Sequence, residues 1–380
     1  MPCGVDDIVR QRAVQAGFDP DRLQVALERV AEAAADGRIP GAVVVVGRGQ
    51  GEPVGPVAVG AMALLPQQEP MRADALFDMA SITKVMATAV VAMRLVEEGR
   101  MSLGAPVSRY LPEFAAGDEA RSRVRILHLL THTSGLPAWH ALYEGCGGPE
   151  GCRPLMERRL LSLPLEAPPG QRVTYSCMGF ILLGLVMERI TGQGLDQLAA
   201  RWIYEPLGMT STTYRPDPAL RDRCAPTEYC PIRRRIVRGE VHDENAYFFG
   251  GVSGNAGLFS TALDTARFAQ MMLGRGRREG VRVLSEAAVE AMTRDYTSRV
   301  GDARGLGWAL RGDNPDSSAG DLLSPRAYGH TGFTGTSLWI DPDRDLYCVL
   351  LTNRVHPTRQ NEAILQLRPV FHNAVAAALT

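Results

Sequence analysis

The sequence predicts an α+β fold: strands from the two ends of the chain share one sheet, and a mostly helical domain is inserted between the halves of that sheet. Three observations carry this reading. β-Branched runs stand near the start, at 42–46 and 54–59, and strand-like runs return at 306–310, 335–341 and 345–352. Between them, apolar residues recur at helical spacing. Strands segregated from helices argue α+β rather than alternating βαβ units.

Taken in order, residues 21–37 show helical periodicity, and Gly37 stops it. The runs 42–46 and 54–59 flank Gly49-Gln50-Gly51 and read as a hairpin. Residues 75–79 lead straight into Ser81, and 81–98 are good helix formers without proline, so Ser81 stands near a helix start. Helical patterns follow at 126–130, 180–191, 195–204, 263–273 and 286–294, separated by the breaks Gly135-Leu136-Pro137, Pro168-Pro169-Gly170 and Pro206-Leu207-Gly208. The irregular stretch 215–257 has the length of a functional lid or wall. Asp341-Pro342-Asp343-Arg344 reads as a turn between the last two strands, and 361–379 closes the chain as a helix.

Composition excludes several function classes. A net charge of -1 gives no basic excess for a nucleic-acid partner. The run Arg233-Arg234-Arg235 is short, followed by acids, and reads as a solvated turn. No apolar stretch reaches the ~18 residues a spanning helix needs. The N-terminus, with early acids and no apolar core, does not read as a secretory signal. A cytoplasmic location is therefore expected, or a periplasmic or secreted one if the true start lies upstream. The chain has seven cysteines. Cys146/Cys152 and Cys224/Cys230 lack the C-x2-C spacing of zinc sites, and free thiols are the expectation in a reducing compartment. A disulfide or a metal at one of these pairs is the alternative.

Of 41 lysine and arginine residues, one is a lysine, Lys84. Arginine serves for surface charge, but its guanidinium cannot release a proton. A chain that uses arginine everywhere else points to proton chemistry at Lys84. Ser81 stands three residues before it, one helical turn away on the same face. A serine hydroxyl is a poor nucleophile without a base beside it, and lysine serves if burial and nearby positive charge lower its pKa. Two weaker signals accompany this pair. Tyr175-Ser176-Cys177 sits at a loop tip before a helix, where a tyrosine beside the lysine could act as general acid or base. Gly329-His330-Thr331-Gly332-Phe333 enters a late strand, where Gly332 permits close backbone approach and an N–H could meet an oxyanion.

S-x-x-K, then a tyrosine loop, then a K-T-G-like strand motif, in that order, resembles the serine β-lactamase and penicillin-binding-protein superfamily. The spacing is similar to the class C β-lactamase branch, which also holds DD-carboxypeptidases and carboxylesterases. The likeness runs from about residue 40 to the C-terminus. ILHLLTHTSGLP (126–137), PPGQRVTYSCMGFILLG (168–184), PLGMTSTTY (206–214), GNAGLFSTALDTARF (254–268) and GHTGFTGTSLWIDP (329–342) carry it. The resemblance implies a β-lactamase/transpeptidase-like fold with an antiparallel sheet. Its domains would be 1–79 with 300–380 for the sheet and 80–299 for the insertion, with the active site in the cleft between them.

It also implies Ser81 as the acylated nucleophile, Lys84 as its proton partner and Tyr175 as acid/base. The N–H groups of Ser81 and Phe333 would form the oxyanion hole. His330, Thr331, Gly332 and Cys177 would contact substrate. No metal or organic cofactor is implied. Two residues depart from the family pattern. Cys177 stands where asparagine is usual, and His330 stands where true β-lactamases carry lysine. Both weaken a β-lactamase reading more than a hydrolase reading.

The expected function is esterase-type hydrolysis of small esters or amides. A DD-carboxypeptidase or weak β-lactamase acting on D-peptide-like substrates is the enzyme alternative. A catalytically weak penicillin-binding or sensor-like module is the alternative of another class. Ser253 lacks a G-x-S-x-G context. His128 and His132 have helical zinc-pair spacing but no H-E-x-x-H. His242-Asp243-Glu244-Asn245 reads as a hydrogen-bonding pin for the long loop. Oligomeric state is not encoded legibly.

Overall fold

The computed structural model describes residues 7–380, so the reading of residues 1–6, Cys3 included, lies outside the described residues. Strands β1 (Gly41–Arg48), β2 (Val54–Ala63), β3 (Glu69–Pro70), β4 (Ala309–Leu310), β5 (Tyr328–Thr331), β6 (Ser337–Asp341) and β7 (Leu346–Thr352) form one sheet. It is seven-stranded in the order β4-β5-β6-β7-β1-β2-β3. Every neighbouring pair is antiparallel. The first long strand thus pairs with the last, Val44 opposite Leu350, and the two chain ends share the sheet.

Why β1 is an unbroken valine run follows from its two covered faces. Ala42, Val44 and Val46 face a core with Leu346, Cys348 and Leu350. The helices α1 (Asp7–Gln15), α2 (Pro20–Ala35) and, at the far end of the chain, Ile364–Ala377 complete that layer. Val43 and Val45 point the other way, into a larger core with Val349 and Leu351. That core joins the sheet to the helices α3 (Ala89–Glu97), α4 (Cys177–Thr191) and α5 (Ala262–Leu273). Each fully buried valine contributes ~1.5–3 kcal/mol. Asp19 caps α2 by accepting from Asp21 N and Arg22 N, and Gly37 (φ +71°) follows its end.

Several expected elements differ in detail; the helix expected over 195–204 is α-helical over Leu195–Ala199 and a π turn over Ala200–Tyr204. The helix foreseen over 81–98 is a 3₁₀ turn, Ala80–Ile82, then a π turn, Lys84–Thr88, then α3. Thr83 Oγ1 accepts from Leu258 N at 3.2 Å, and Thr88 Oγ1 donates to Gly254 O at 2.7 Å. This segment is therefore tied to its neighbour through side chains where a regular helix would be free. The strand expected at 306–310 shrinks to Ala309–Leu310. The backbone before it turns elsewhere: Leu306 N donates to Met292 O and Gly307 N to Leu130 O. The strand expected from 335 starts at Ser337, because Gly332–Thr336 form a tight turn with Gly332 N donating to Thr336 O at 2.8 Å.

Candidate active site

Ser81 follows a short strand, Phe77–Asp78, paired with Leu258–Ser260. The chain then makes a sharp corner: Ala80 takes φ 46°, rare for a residue with a Cβ. Asp78 holds the corner. Its buried carboxylate accepts from Ala80 N at 2.8 Å and from His242 N at 2.6 Å. The corner leaves Ser81 half-buried and turns Lys84 wholly inward.

Lys84 Nζ lies 3.0 Å from Ser81 Oγ, 3.1 Å from Asn255 O and 3.6 Å from Cys177 Sγ. It sits 4.9 Å from the Tyr175 ring centroid. Burial works against its ammonium form. The acidic groups around it, Cys177, Tyr175 and Asp243, work the other way and prevail, so its pKa stands above the ordinary lysine value. The direction is opposite to the lowering expected from the sequence, and Lys84 Nζ donates to Ser81 Oγ.

Tyr175 is held among rings and cations. His132 packs on it at 4.5 Å between centroids and His330 at 5.9 Å, with the Arg304 guanidinium 5.7 Å from its ring. His132 itself is in the left-handed region (φ 59°). Its Nδ1 accepts from Ser176 N at 3.0 Å, and its carbonyl accepts from Thr174 N. So this histidine fixes the tyrosine loop on both sides, while His128 Nδ1 accepts from Arg125 N in a different task. Ser176 caps α4 through Gly179 N. Burial, with Lys84 and Arg304 nearby, pushes His330 down to about 3, so it is neutral. Its Nδ1–H donates to Thr331 O at 2.8 Å, and its Nε2 has no partner among the described residues.

The Gly332–Thr336 turn docks directly on the corner that carries Ser81. Thr334 Oγ1 donates to Asp78 O at 2.7 Å and Thr336 Oγ1 to Met79 O at 3.1 Å. A Cβ on Gly332 would stand 2.6 Å from Met79 O and 3.3 Å from the Ala80 Cβ. Gly332→Ala is therefore expected to push the turn off Ser81, costing ~1–3 kcal/mol of stability and most of any activity that needs both segments. Urea melts beside turnover measurements check this.

Ser81, Tyr175, His330, Thr331, Gly332 and Phe333 all line one cavity of about 490 Å³. Cys177 stands behind it, against the lysine. A slightly larger cavity, about 550 Å³, between Arg215 and Phe259 contains none of these groups, so the chemistry points to the smaller one. Sequence reasoning missed Asp78, His132, Asn255 and Arg304. Only Asp78 left a signal, as an acid inside the otherwise apolar 75–79.

The long 215–257 stretch is pinned as expected. His242 Nε2 is 2.8 Å from Glu228, Asp243 caps Glu244–Phe248, Glu244 pairs with Arg359 at 2.8 Å, and Asn245 Nδ2 donates to His140 O. The cysteine expectation is corrected: Cys146 and Cys152 form a disulfide, while Cys177, Cys224, Cys230 and Cys348 are free. Among the described residues no cluster could hold a metal ion, and no helix is long and apolar enough to cross a membrane.

The fold agrees with comparisons to known proteins. Residues 27–369 match the family Beta-lactamase. A protein of Escherichia coli named putative D-alanyl-D-alanine carboxypeptidase is 35% identical over 322 residues, 76% of this chain and 72% of that protein. A protein of Bacillus subtilis named N-acetylmuramyl-L-alanine amidase is 34% identical over 319 residues, 77% of this chain and 71% of that one. Among solved structures, EstCE1, a hydrolase with promiscuous acyltransferase activity, superposes with a TM-score of 0.72 at 25% identity, covering 93% of this chain and 99% of its own. With a match over most of its length and hydrolases among its relatives, the chain belongs to the Beta-lactamase family, in the serine β-lactamase and penicillin-binding-protein superfamily.

Proposed function

We propose that the protein is a serine hydrolase that forms an acyl-enzyme at Ser81 and hydrolyses small esters or amides. The observation that carries this is the 3.0 Å contact between Lys84 Nζ and Ser81 Oγ, with Tyr175 beside the lysine. Lys84 and Tyr175 act as one coupled pair. The step requires the pair to hold a single proton, as ammonium with phenolate or amine with phenol; in that state it contains one acceptor. That acceptor takes the Ser81 proton as Oγ attacks the carbonyl. The N–H groups of Ser81 and Phe333 hold the oxyanion. The same proton passes to the leaving group; the pair then takes a proton from the deacylating water and returns it to Ser81 Oγ as the acyl–Oγ bond breaks.

The cleft lies between a sheet domain of residues 7–79 with 300–380 and an inserted domain of 80–299. Ser81, Lys84, Tyr175 and Cys177 come from one side, His330 to Phe333 from the other. Two features support an ester substrate: the likeness to EstCE1 over nearly its whole length, and a neutral His330 where β-lactamases place an ammonium. The second reading is a DD-carboxypeptidase. The carboxypeptidase-named relative favours it. So does the Cys146–Cys152 disulfide, which suits an oxidising compartment better than the cytoplasm.

Intact-mass spectrometry after exposure to a fluorophosphonate, p-nitrophenyl acetate, a D-Ala-D-Ala peptide and a cephalosporin tests the proposal. One adduct is expected, absent in Ser81→Ala, with turnover fastest on the ester. Faster peptide turnover selects the second reading. Substrate binding without an adduct at Ser81 would leave a sensor-like module.

A further inference from the structure

The Gly332 carbonyl and the Phe333 N–H belong to one peptide. That unit is planar and trans, so its C=O and N–H point in opposite directions. Whatever fixes the carbonyl therefore aims the N–H. Arg368, on the C-terminal helix α6 (Ile364–Ala377), donates from Nη2 to Gly332 O at 2.9 Å and to Thr336 O at 2.9 Å. Arg354 donates from Nε to the next carbonyl, Phe333 O, at 2.8 Å, and its guanidinium lies 4.5 Å from the Phe333 ring centroid. Phe333 N–H itself has no hydrogen-bond partner among the described residues.

Both arginines are buried, Arg368 to 4% exposure and Arg354 to 8%. Among the described residues neither has a carboxylate at ion-pairing distance. Burial and Arg354 together push Arg368 down to about 9, which still leaves it charged at neutral pH. Leaving a buried cation without a counter-ion costs several kcal/mol. A neutral donor already ties this carbonyl, since Gly335 N donates to Gly332 O at 3.0 Å. What the charge adds is polarisation: a cation on the carbonyl oxygen makes the N–H at the other end of the peptide a stronger donor, in a site of low dielectric.

We propose that Arg368, assisted by Arg354, is a positioning residue for the oxyanion hole, aiming and polarising the Gly332–Phe333 peptide so that the Phe333 N–H meets the developing oxyanion. This rests on the acyl-enzyme reading above.

The test compares p-nitrophenyl acetate with its thiono analogue, whose sulfur accepts hydrogen bonds poorly. Arg368→Gln keeps a donor and loses the charge; Arg368→Lys keeps the charge on a different geometry. In both, kcat on the oxygen ester is expected to fall ~10–100-fold, less than the ~10²–10³ for losing an oxyanion donor outright, with KM within about threefold. The thionoester rate should fall far less, so the ratio between the two substrates collapses. A folded variant that retains its kcat, or loses both rates by one factor, overturns the inference. Arg354→Lys supplies the same readout where the 368 variants do not fold. Failure of the parent reading looks different: the wild-type protein gives no Ser81 adduct, or its own oxygen-to-sulfur ratio is already near one.

Discussion

Lys84→Met is expected to lower kcat/KM for the best ester by ~10³–10⁴-fold, at the upper end of what a positioned acid/base supplies, and Lys84→Arg is expected to do no better. The two substitutions fail for different reasons. Methionine keeps the unbranched stem in a pocket that is fully buried, and removes the charge and the proton. Arginine keeps the charge and could still donate to Ser81 Oγ and Asn255 O, but it cannot take part in a shift of one proton between residue 84 and Tyr175. If charge alone mattered, arginine would restore activity, as it supplies charge everywhere else in this chain. Tyr175→Phe should lose a similar factor. Combining it with Lys84→Met should add little, because the two act as a unit. Adduct formation at Ser81 measured by stopped-flow with a fluorophosphonate reads the same loss. Arginine at 84 within tenfold of wild type would remove proton transfer from the mechanism.

The fold and the Ser81–Lys84 contact were legible because their signals are local. A valine run bounded by glycines reads as a strand covered on both faces, and a serine three residues before the sole lysine reads as a pair on one turn. The direction of the lysine's pKa shift was not legible, because it is set by groups far along the chain. Asp243, Cys177 and Tyr175 raise the pKa, and no spacing near residue 84 announces them. The same holds for the two arginines behind the Gly332–Phe333 peptide. In a chain rich in arginine, Arg354 and Arg368 look like surface charge, and only the packing of α6 against the 332–336 turn shows them buried. His132 was weighed as a metal ligand from its spacing to His128. Its positive φ and its bond to Ser176 N give it a structural task next to Tyr175 instead. The π turn at Lys84–Thr88 also escaped notice, since its residues are ordinary helix formers. A widened turn of this kind concentrates at functional sites.

Acid is expected to unfold the protein well above the pH at which most carboxylates titrate, because its buried histidines are neutral. His330 is pushed down to about 3 by burial and by Lys84 and Arg304, with Arg368 adding to the repulsion. His372, wholly buried between Phe371 and Trp339, is pushed down to about 4 by burial, with Arg368 adding to it. His132 is held well below its ordinary value by burial, Arg304 and Lys84. A lowered folded pKa means that the unfolded chain binds the proton first. The stability these groups preserve is therefore complete above about pH 6.5 and is lost as pH falls toward the folded values. At pH 5 the loss is ~2 kcal/mol each for His330 and His372, ~4 kcal/mol together, with His132 acting in the same direction. Against a typical total of ~5–15 kcal/mol that is a large fraction. Asp78 and Asp243, whose carboxyls burial raises, titrate the opposite way and return part of it. Urea melts at pH 7, 6 and 5 should show the midpoint falling steadily. His372→Asn, which keeps a donor to Ser318 O in place of Nδ1–H, should recover ~2 kcal/mol of the drop. An unfolding free energy unchanged from pH 7 to 5 would mean that these rings take up protons without cost, and that the packing around Tyr175 and behind β6 is far looser than their burial requires.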